Sequence, residues 1–263
     1  ITNGIDLSGE GGLVWIKARS TGTTGHRLFD TVRDGDWVLE TNNIAAESDL
    51  SGLGLFLNYN SDGFETGDRA SINGSGEDFV SWTFRSADNF FFLDEVSHTN
   101  GADTPVDLSS LGTVGMVTVK RTDSTSNWYT WHRSLSAGDL VYLNLTHAAA
   151  ARRGISVSGT TLTLDSTLPT GDYMIYAWAH DVAAFGENGD QSIVAAGSYI
   201  GNESRDGPEI TLGWEPQYIL LKHISSGGGG WPTFDNMRGI VHDGDDLLVL
   251  ANLSDAEIDT ADA

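Results

Sequence analysis

The chain of 263 residues contains no cysteine, which excludes disulfide bonds, thiolate catalysis and zinc sites built from cysteine. Positive charge is scarce, since 14 lysine and arginine residues stand against 37 aspartate and glutamate residues, for a net charge of −23. A field of that sign repels phosphate backbones and anionic lipid headgroups, so we expect no nucleic-acid partner. The apolar runs are far too short to span a bilayer, which predicts no membrane insertion.

Familiar catalytic motifs are missing as well. The histidines include no closely spaced pair of the HExxH kind, no Gly-x-Ser-x-Gly elbow is present, and no lysine follows a glycine as in a nucleotide-binding loop. Paired carboxylates for glycoside hydrolysis stay open as an alternative, because an acidic chain offers many of them. We therefore interpret the chain as non-enzymatic and expect no cofactor.

Lysine occurs at three positions, Lys17, Lys120 and Lys222, which are spaced by roughly one hundred residues. Each lysine ends a short apolar run, and the first and third are followed at equal offsets by an aromatic–Asp pair and then by Arg33 or Arg238. In the middle copy the matching arginine is Arg133, three residues nearer to its lysine. Such recurrence indicates that one supersecondary plan is used again. We expect these positions to serve the fold, through Arg–Asp contacts or a lysine stem laid over an apolar edge.

Short apolar runs punctuated by glycine, serine, threonine, asparagine and aspartate indicate the fold class. Helical periodicity is almost absent, and this pattern is typical of an all-β protein. The predicted fold is a tandem array of antiparallel β-sandwiches, of jelly-roll or concanavalin type, in units of about 100 residues. We place the units at residues 1–97, 98–200 and 201–263.

The repeat also predicts equivalent positions. Trp82 and Trp178 are expected to match each other and to be buried, and a strand at 192–200 is expected where the first unit has one at 90–96. No counterpart of the Trp82 strand follows in the third unit, which we therefore interpret as partial. Half a sandwich leaves an unpaired edge, so we expect further chain or a neighbour to complete it.

Several long strings carry a resemblance to a known family. They are the segments 1–17, 26–33, 60–64, 79–85, 199–202, 213–222 and 231–238. These segments resemble a domain repeated in tail-fibre and other virion proteins of tailed bacteriophages, many of them marine. The resemblance covers most of the chain and is weakest in the middle unit. It implies a concanavalin-like or SPRY-like sandwich on the virion, with other virion proteins and further copies of the chain as partners, and it supplies no catalytic residues.

Three functions follow from these observations. The leading hypothesis is a structural protein of a phage tail fibre or related appendage, whose loops attach to a host-surface glycan in a lectin-like way. The first alternative is a purely structural spacer or capsid-decoration module. The second is a polysaccharide depolymerase, which would need two facing carboxylates in a groove.

The loop after Lys120, around residues 122–133, is where the copies diverge most. It carries the candidate ligand-binding residues Asn127, Trp128, Tyr129, Trp131 and His132. Aromatic faces stack on sugar rings and amides hydrogen-bond to hydroxyls, which makes this loop the predicted contact. Strand alternation offers another interpretation, in which Tyr129 and Trp131 point into the core and Trp128 alone stays outside.

One acidic turn is a weak candidate for a cation site. Asp243, Asp245 and Asp246 cluster oxygen ligands of the kind that Ca²⁺ prefers. The turn lacks the spacing and terminal glutamate of a known calcium loop, so a solvated turn is the favoured interpretation and Ca²⁺ stays an alternative.

Overall fold

The computed structural model describes residues 1–54, 57–204, 207–240 and 246–259. Strands hold 38% of the residues and helices 3%, which confirms the expected all-β class of antiparallel sheets. The first part of the chain forms β1 (Gly12–Ala18), β2 (Arg27–Asp30), β3 (Trp37–Glu40), β4 (Ser48–Asp49), β5 (Leu57–Asn60), β6 (Gly63–Thr66), the short helix α1 (Ala70–Asn73) and β7 (Phe79–Arg85).

The remaining strands follow in two groups. The middle of the chain forms β8 (Phe91–His98), β9 (Thr104–Asp107), a 3-10 turn (Ser109–Leu111), β10 (Val114–Arg121), β11 (Tyr129–His132), β12 (Asp139–Tyr142), β13 (Ala150–Ala151), β14 (Ile155–Ser158), β15 (Thr161–Leu164) and β16 (Gly171–Ala179). The last part forms β17 (Tyr218–Leu220), β18 (Pro232–Asp235), β19 (Leu247–Leu250) and β20 (Ile258–Asp259).

Three antiparallel sheets share one arrangement of four successive strands, which are β1-β2-β3-β4, β10-β11-β12-β13 and β17-β18-β19-β20. The first sheet continues beyond β1 to β7, and the second continues beyond β10 to β16 and then β8. The strands β1, β10 and β17 each run toward one of the three lysines, and the next three strands in sequence add one after another on the same side. The recurrent lysine spacing thus corresponds to a recurrent strand plan.

The first two sheets are covered by a second layer. The hairpin β5–β6 and α1 pack on the first sheet and bury Val14, Phe29 and Phe64 between the layers. The three-stranded sheet β14-β15-β9 packs on the second sheet and buries Val119 and Leu162. Gly63 opens β6 with φ of +149°, and a Cβ there would lie 2.1 Å from the Ile1 carbonyl oxygen, so this close approach requires glycine.

The outer face of the third sheet differs from these two. Ile219, Phe234 and Leu248 occupy the positions that the first sheet fills with Val14, Phe29 and Val38. They are half-buried, whereas their counterparts in the first sheet are buried. Within the described residues no second layer pairs into a sheet over this face.

Two boundary expectations are corrected by strand pairing. The strand expected to close the first unit is β8, and it pairs with β16 at the edge of the second sheet, so residue 97 is not the break between units. The expected strand at 192–200 is absent from the described structure, where that segment has no regular pairing. A strand at this position needs an equivalent of β16 to pair with, and the third sheet has none in the described residues.

The expected match between Trp82 and Trp178 is wrong by two residues. Trp82 pairs with Trp15, two residues before Lys17, whereas Trp178 pairs with Met116, four residues before Lys120. The residue of the second sheet equivalent to Trp82 is therefore Tyr176, and Trp178 is equivalent to Phe84. Trp82 is buried as expected, but Trp178 is half-buried.

Candidate functional site

The three sheets meet at a shared apolar junction. The first two sheets turn the face opposite their sandwich layer toward this common core, and the third sheet turns the equivalent face toward it. The buried members include Leu13 and Trp15 of the first sheet, Trp128 and Val141 of the second, and Trp231 and Val249 of the third. Because this many aromatic and aliphatic side chains are buried between the sheets, the three sheets pack as one body rather than as separate domains.

Backbone hydrogen bonds close the junction into a ring. The Glu47 amide donates to the Thr122 carbonyl at 2.9 Å, which joins the first sheet to the second. The Ala149 amide donates to the Ile224 carbonyl at 3.0 Å, which joins the second to the third. The Glu257 amide donates to the Arg19 carbonyl at 2.8 Å, and the ring returns to the first sheet. Each acceptor lies two residues after a lysine, so the three contacts are equivalent.

Indole N–H groups make further hydrogen bonds between the same sheets, with donor and acceptor sheets exchanged. Trp128 Nε1 donates to the Glu40 carbonyl of the first sheet at 3.0 Å, and Trp231 Nε1 donates to the Tyr142 carbonyl of the second sheet at 3.0 Å. His26 occupies the matching position in the first sheet. Burial lowers the pKa of His26 to about 3, with a smaller effect from Lys17, so its ring is neutral.

The tautomer of His26 follows from its contacts. Its Nδ1 accepts a hydrogen bond from Trp15 Nε1 at 2.8 Å, so Nε2 carries the proton. Nε2 lies on the side of the Leu250 backbone of the third sheet but does not reach hydrogen-bond geometry. Among the described residues, the first sheet therefore lacks the hydrogen bond that Trp128 and Trp231 make from the equivalent position.

Three asparagines form a recurrent feature that the sequence interpretation missed. The side chains of Asn42, Asn144 and Asn252 accept hydrogen bonds from the backbone amides of His26, Trp128 and Trp231, at 3.0, 3.0 and 2.8 Å. Each asparagine follows the third strand of its sheet and fixes the start of the second strand. The signal in the sequence was an asparagine two residues after each third strand, and variable loop lengths between the copies hid it.

The lysines serve the same junction. Lys17 and Lys120 are fully buried, and each ammonium group donates to the carbonyl of the next residue in the chain. Lys120 and Lys222 also reach carbonyls of the preceding sheet, Ile44 and Thr146, both at 3.4 Å. The structural role expected for the recurrent lysines is thus carried by hydrogen bonds to backbone oxygen rather than by apolar stem packing alone.

The expected Arg–Asp contacts are present in the first and third sheets. Arg33 pairs with Asp30, and Arg238 donates from Nε to Asp235 at 2.6 Å. Both aspartates also accept a hydrogen bond from a neighbouring sheet. Tyr176 OH donates to Asp30 at 2.7 Å, and Trp82 Nε1 donates to Asp235 at 2.9 Å.

The second sheet departs from this arrangement. Strand register places His132 and Leu135 where the other sheets have their aspartate and arginine. Arg133 is therefore not the counterpart of Arg33, which corrects the sequence-based match, and its side chain donates to the Ala196 carbonyl at 3.5 Å. Burial, with a smaller effect of Arg133, lowers the pKa of His132 to about 4, and the neutral ring accepts from the Ser134 amide at 3.1 Å.

The structure corrects part of the predicted sugar contact. Trp128 has no exposed surface and uses its indole N–H within the junction, so it has no face free for a ligand. The Asn127 side chain accepts a hydrogen bond from Asn144 at 2.9 Å. Tyr129 and Trp131 are half-buried against the sandwich core of the second sheet, in agreement with the strand-alternation alternative, but the exposed Trp128 of that alternative is wrong. The five candidates therefore do not form one exposed rim.

Tyr129 does contribute to a different surface cluster, with Tyr142 and Arg152. The Tyr129 and Tyr142 rings meet edge to face, 5.4 Å apart, on neighbouring strands, and the Arg152 guanidinium lies 4.8 Å from the Tyr142 ring centroid. Gly154 permits this arrangement because its φ is +140° and a Cβ would lie 2.6 Å from the Tyr129 ring. We call these three residues the tyrosine–arginine patch.

The patch has an unused hydrogen-bonding group. Arg152 Nε is buried and has no hydrogen-bond partner among the described residues. No carboxylate of a described residue lies within salt-bridge distance of the Arg152 guanidinium, although five other arginines have such partners. The Arg152 guanidinium is thus held over a tyrosine ring rather than paired with a carboxylate. Sequence reasoning missed Tyr142 and Arg152 because their distance from Tyr129 in the chain concealed the contact.

The predicted cation turn is only partly within the described structure. Asp243 and Asp245 lie outside the described residues, and Asp246 lies just before β19. Across the described ranges, no group of three or more histidine, aspartate or glutamate side chains is arranged to hold a metal ion. No helix in those ranges is long and apolar enough to cross a membrane.

The fold and the junction define an all-β protein of antiparallel sandwich sheets that share one core. The chain belongs to the family described as a domain of unknown function, DUF7483, whose family model matches residues 3–104 and again residues 93–263. The second match begins within β8, the strand that opens the second sheet. No curated protein and no solved structure matches the chain.

Proposed function

We propose that this chain is a non-enzymatic structural module of a tailed-phage virion, in a tail fibre or related appendage, and that it attaches to a saccharide on the host surface. The resemblance of its long sequence strings to phage virion proteins supports the setting. The tyrosine–arginine patch carries the attachment part of the proposal, because it combines aromatic surface with an arginine that lacks a carboxylate partner.

The chemistry of the patch suits a sugar. Two tyrosine rings on β11 and β12 lie beside a guanidinium, and saccharide binding needs apolar ring surface beside fixed hydrogen-bond donors. The junction holds the strands beneath the patch rigidly, which lowers the ordering cost of binding. The recurrent Lys and Arg residues are engaged inside the fold, so recognition falls to residues that the copies do not share.

The test is binding of the purified chain to an array of bacterial capsule and lipopolysaccharide fragments. Arg152→Gln and Tyr142→Phe should each weaken binding about tenfold, because each removes a donor without deleting the bulk of the side chain. Arg153→Gln is the matched control, since it removes the same charge one residue away. Equal loss in the control, or full binding by both patch variants, would overturn the assignment of the patch.

A second candidate function is a spacer or capsid-decoration module. The closed ring of hydrogen bonds between the three sheets favours it, because a rigid body transmits force without any ligand. A chain that retains no saccharide on the array, yet assembles into particles whose other proteins still adsorb to cells, would support this candidate. Release of reducing ends from capsule by the purified chain would instead contradict the non-enzymatic assignment.

A further inference from the structure

Among the described residues, one edge of β17 has no paired strand, whereas the equivalent edge in each of the other two sheets has one. In the first sheet β7 pairs along the whole of β1, and in the second β16 pairs along β10. In the third sheet, among the described residues, β18 is the one strand that pairs with β17. Every residue of β1 is buried, whereas the residues of β17 are half-buried.

Register shows which backbone groups face this edge. The Leu221 amide donates to the Pro232 carbonyl, and the Asn236 amide donates to the Gln217 carbonyl, so the odd-numbered residues bond toward β18. The backbone groups of Tyr218 and Leu220 therefore point the other way, as those of Leu13 and Trp15 do toward β7.

The side chain of the second sheet that would face a strand beside β17 differs from its counterparts in the other two sheets. Tyr176 of β16 donates to Asp30 of the first sheet, and Trp82 of β7 donates to Asp235 of the third. By the same pattern, a strand beside β17 would place the residue equivalent to Tyr176 and Trp82 against the second sheet, at His132. His132 accepts at Nδ1 from the Ser134 amide, so its Nε2 carries the proton and offers a donor where the other sheets offer a carboxylate.

We propose that the β17 edge binds one antiparallel strand of the β16 type, with a tyrosine opposite Leu220 whose hydroxyl accepts from His132. A tyrosine fits because its hydroxyl accepts as well as donates, whereas an indole N–H can only donate. Strand addition to an exposed edge takes its affinity from main-chain hydrogen bonds and its specificity from alternate side chains. The apolar residues of such a strand would cover the half-buried junction side of β17.

The experiment uses the 263-residue chain and a synthetic peptide that copies residues 170–181, which include β16. In the expected register Met174 of the peptide lies opposite Lys222, Tyr176 opposite Leu220 and Trp178 opposite Tyr218. Binding should be one to one and should slow hydrogen exchange at the amides of Tyr218 and Leu220. A Met174→Pro peptide should bind at least about tenfold more weakly, because proline removes an amide that the register directs at β17.

A cycle of variants tests the predicted side-chain contact. A Tyr176→Phe peptide should bind the parent chain several-fold more weakly, and this difference should vanish on a His132→Leu chain, since the hydrogen bond is then already lost. Equal binding of the proline peptide, protection away from β17, or no binding at all would overturn the proposal. Self-association of the chain with the β17 amides protected would also overturn it, in favour of a second copy as occupant. None of these outcomes depends on saccharide binding.

Discussion

Raising the pH should stabilise this protein, because two buried lysines release a proton more readily in the folded state than in the unfolded one. Burial lowers the pKa of Lys17 and of Lys120 to about 8, against 10.5 for the free side chain. Between these values the unfolded chain binds more protons than the folded chain. The free energy of unfolding therefore rises with pH across this window, and the gain is lost as the pH falls back through about 8.

The size of the effect follows from the pKa values. From about pH 7.5 to about pH 9.5, one such lysine adds about 2 kcal/mol to the free energy of unfolding, and the two together add about 4 kcal/mol. The window closes near pH 10, because burial raises the pKa of Tyr173 to about 12, and a tyrosine that resists ionisation in the folded state makes stability fall at higher pH.

Denaturant unfolding at constant ionic strength, repeated at several pH values in this window, measures the slope. The matched variant is Lys120→Met, which should remove about half of the rise, or about 2 kcal/mol. Its absolute stability is not the readout, because the variant also loses the hydrogen bond from the ammonium group to the Arg121 carbonyl. A parent chain whose stability is flat or falls with pH, or a variant with the parent's slope, would refute the reasoning.

Three further outcomes test the junction. Trp231→Phe should lower the free energy of unfolding by about 1–3 kcal/mol in denaturant titration, since it removes the donor to two carbonyls of the second sheet and keeps an aromatic ring. Asp235→Asn should cost about 1–3 kcal/mol because it weakens the charged hydrogen bonds from Arg238 and Trp82 while Glu257 still pairs with Arg238, whereas Asp88→Asn, on the surface, should cost little. His132 has a pKa lowered mainly by burial, so stability should fall as pH drops below 6.5, and His132→Gln should lessen the loss down to about pH 5 by about 1 kcal/mol; an unchanged acid slope would contradict its burial as a neutral ring.

Local patterns along the chain determined the strands and their class. The apolar runs that end at Lys17, Lys120 and Lys222 contribute the strands β1, β10 and β17, because a short continuous apolar run bounded by turn residues favours a strand. The equal offsets to Arg33 and Arg238 likewise predicted Arg–Asp pairs, since those contacts are made within one short turn.

Only the tertiary structure decided which sheet each strand joins and what each aromatic residue faces. Trp128 resembles an exposed binding residue in the sequence, and it is buried because the first sheet brings the Glu40 carbonyl to its indole from 88 residues away. The two-residue shift between Trp82 and Trp178 arises from pairing register, which leaves no mark in either strand alone. The pairing of β8 with β16 and the meeting of Tyr142 with Arg152 were equally hidden, because contacts between distant segments depend on how the sheets pack and not on local spacing.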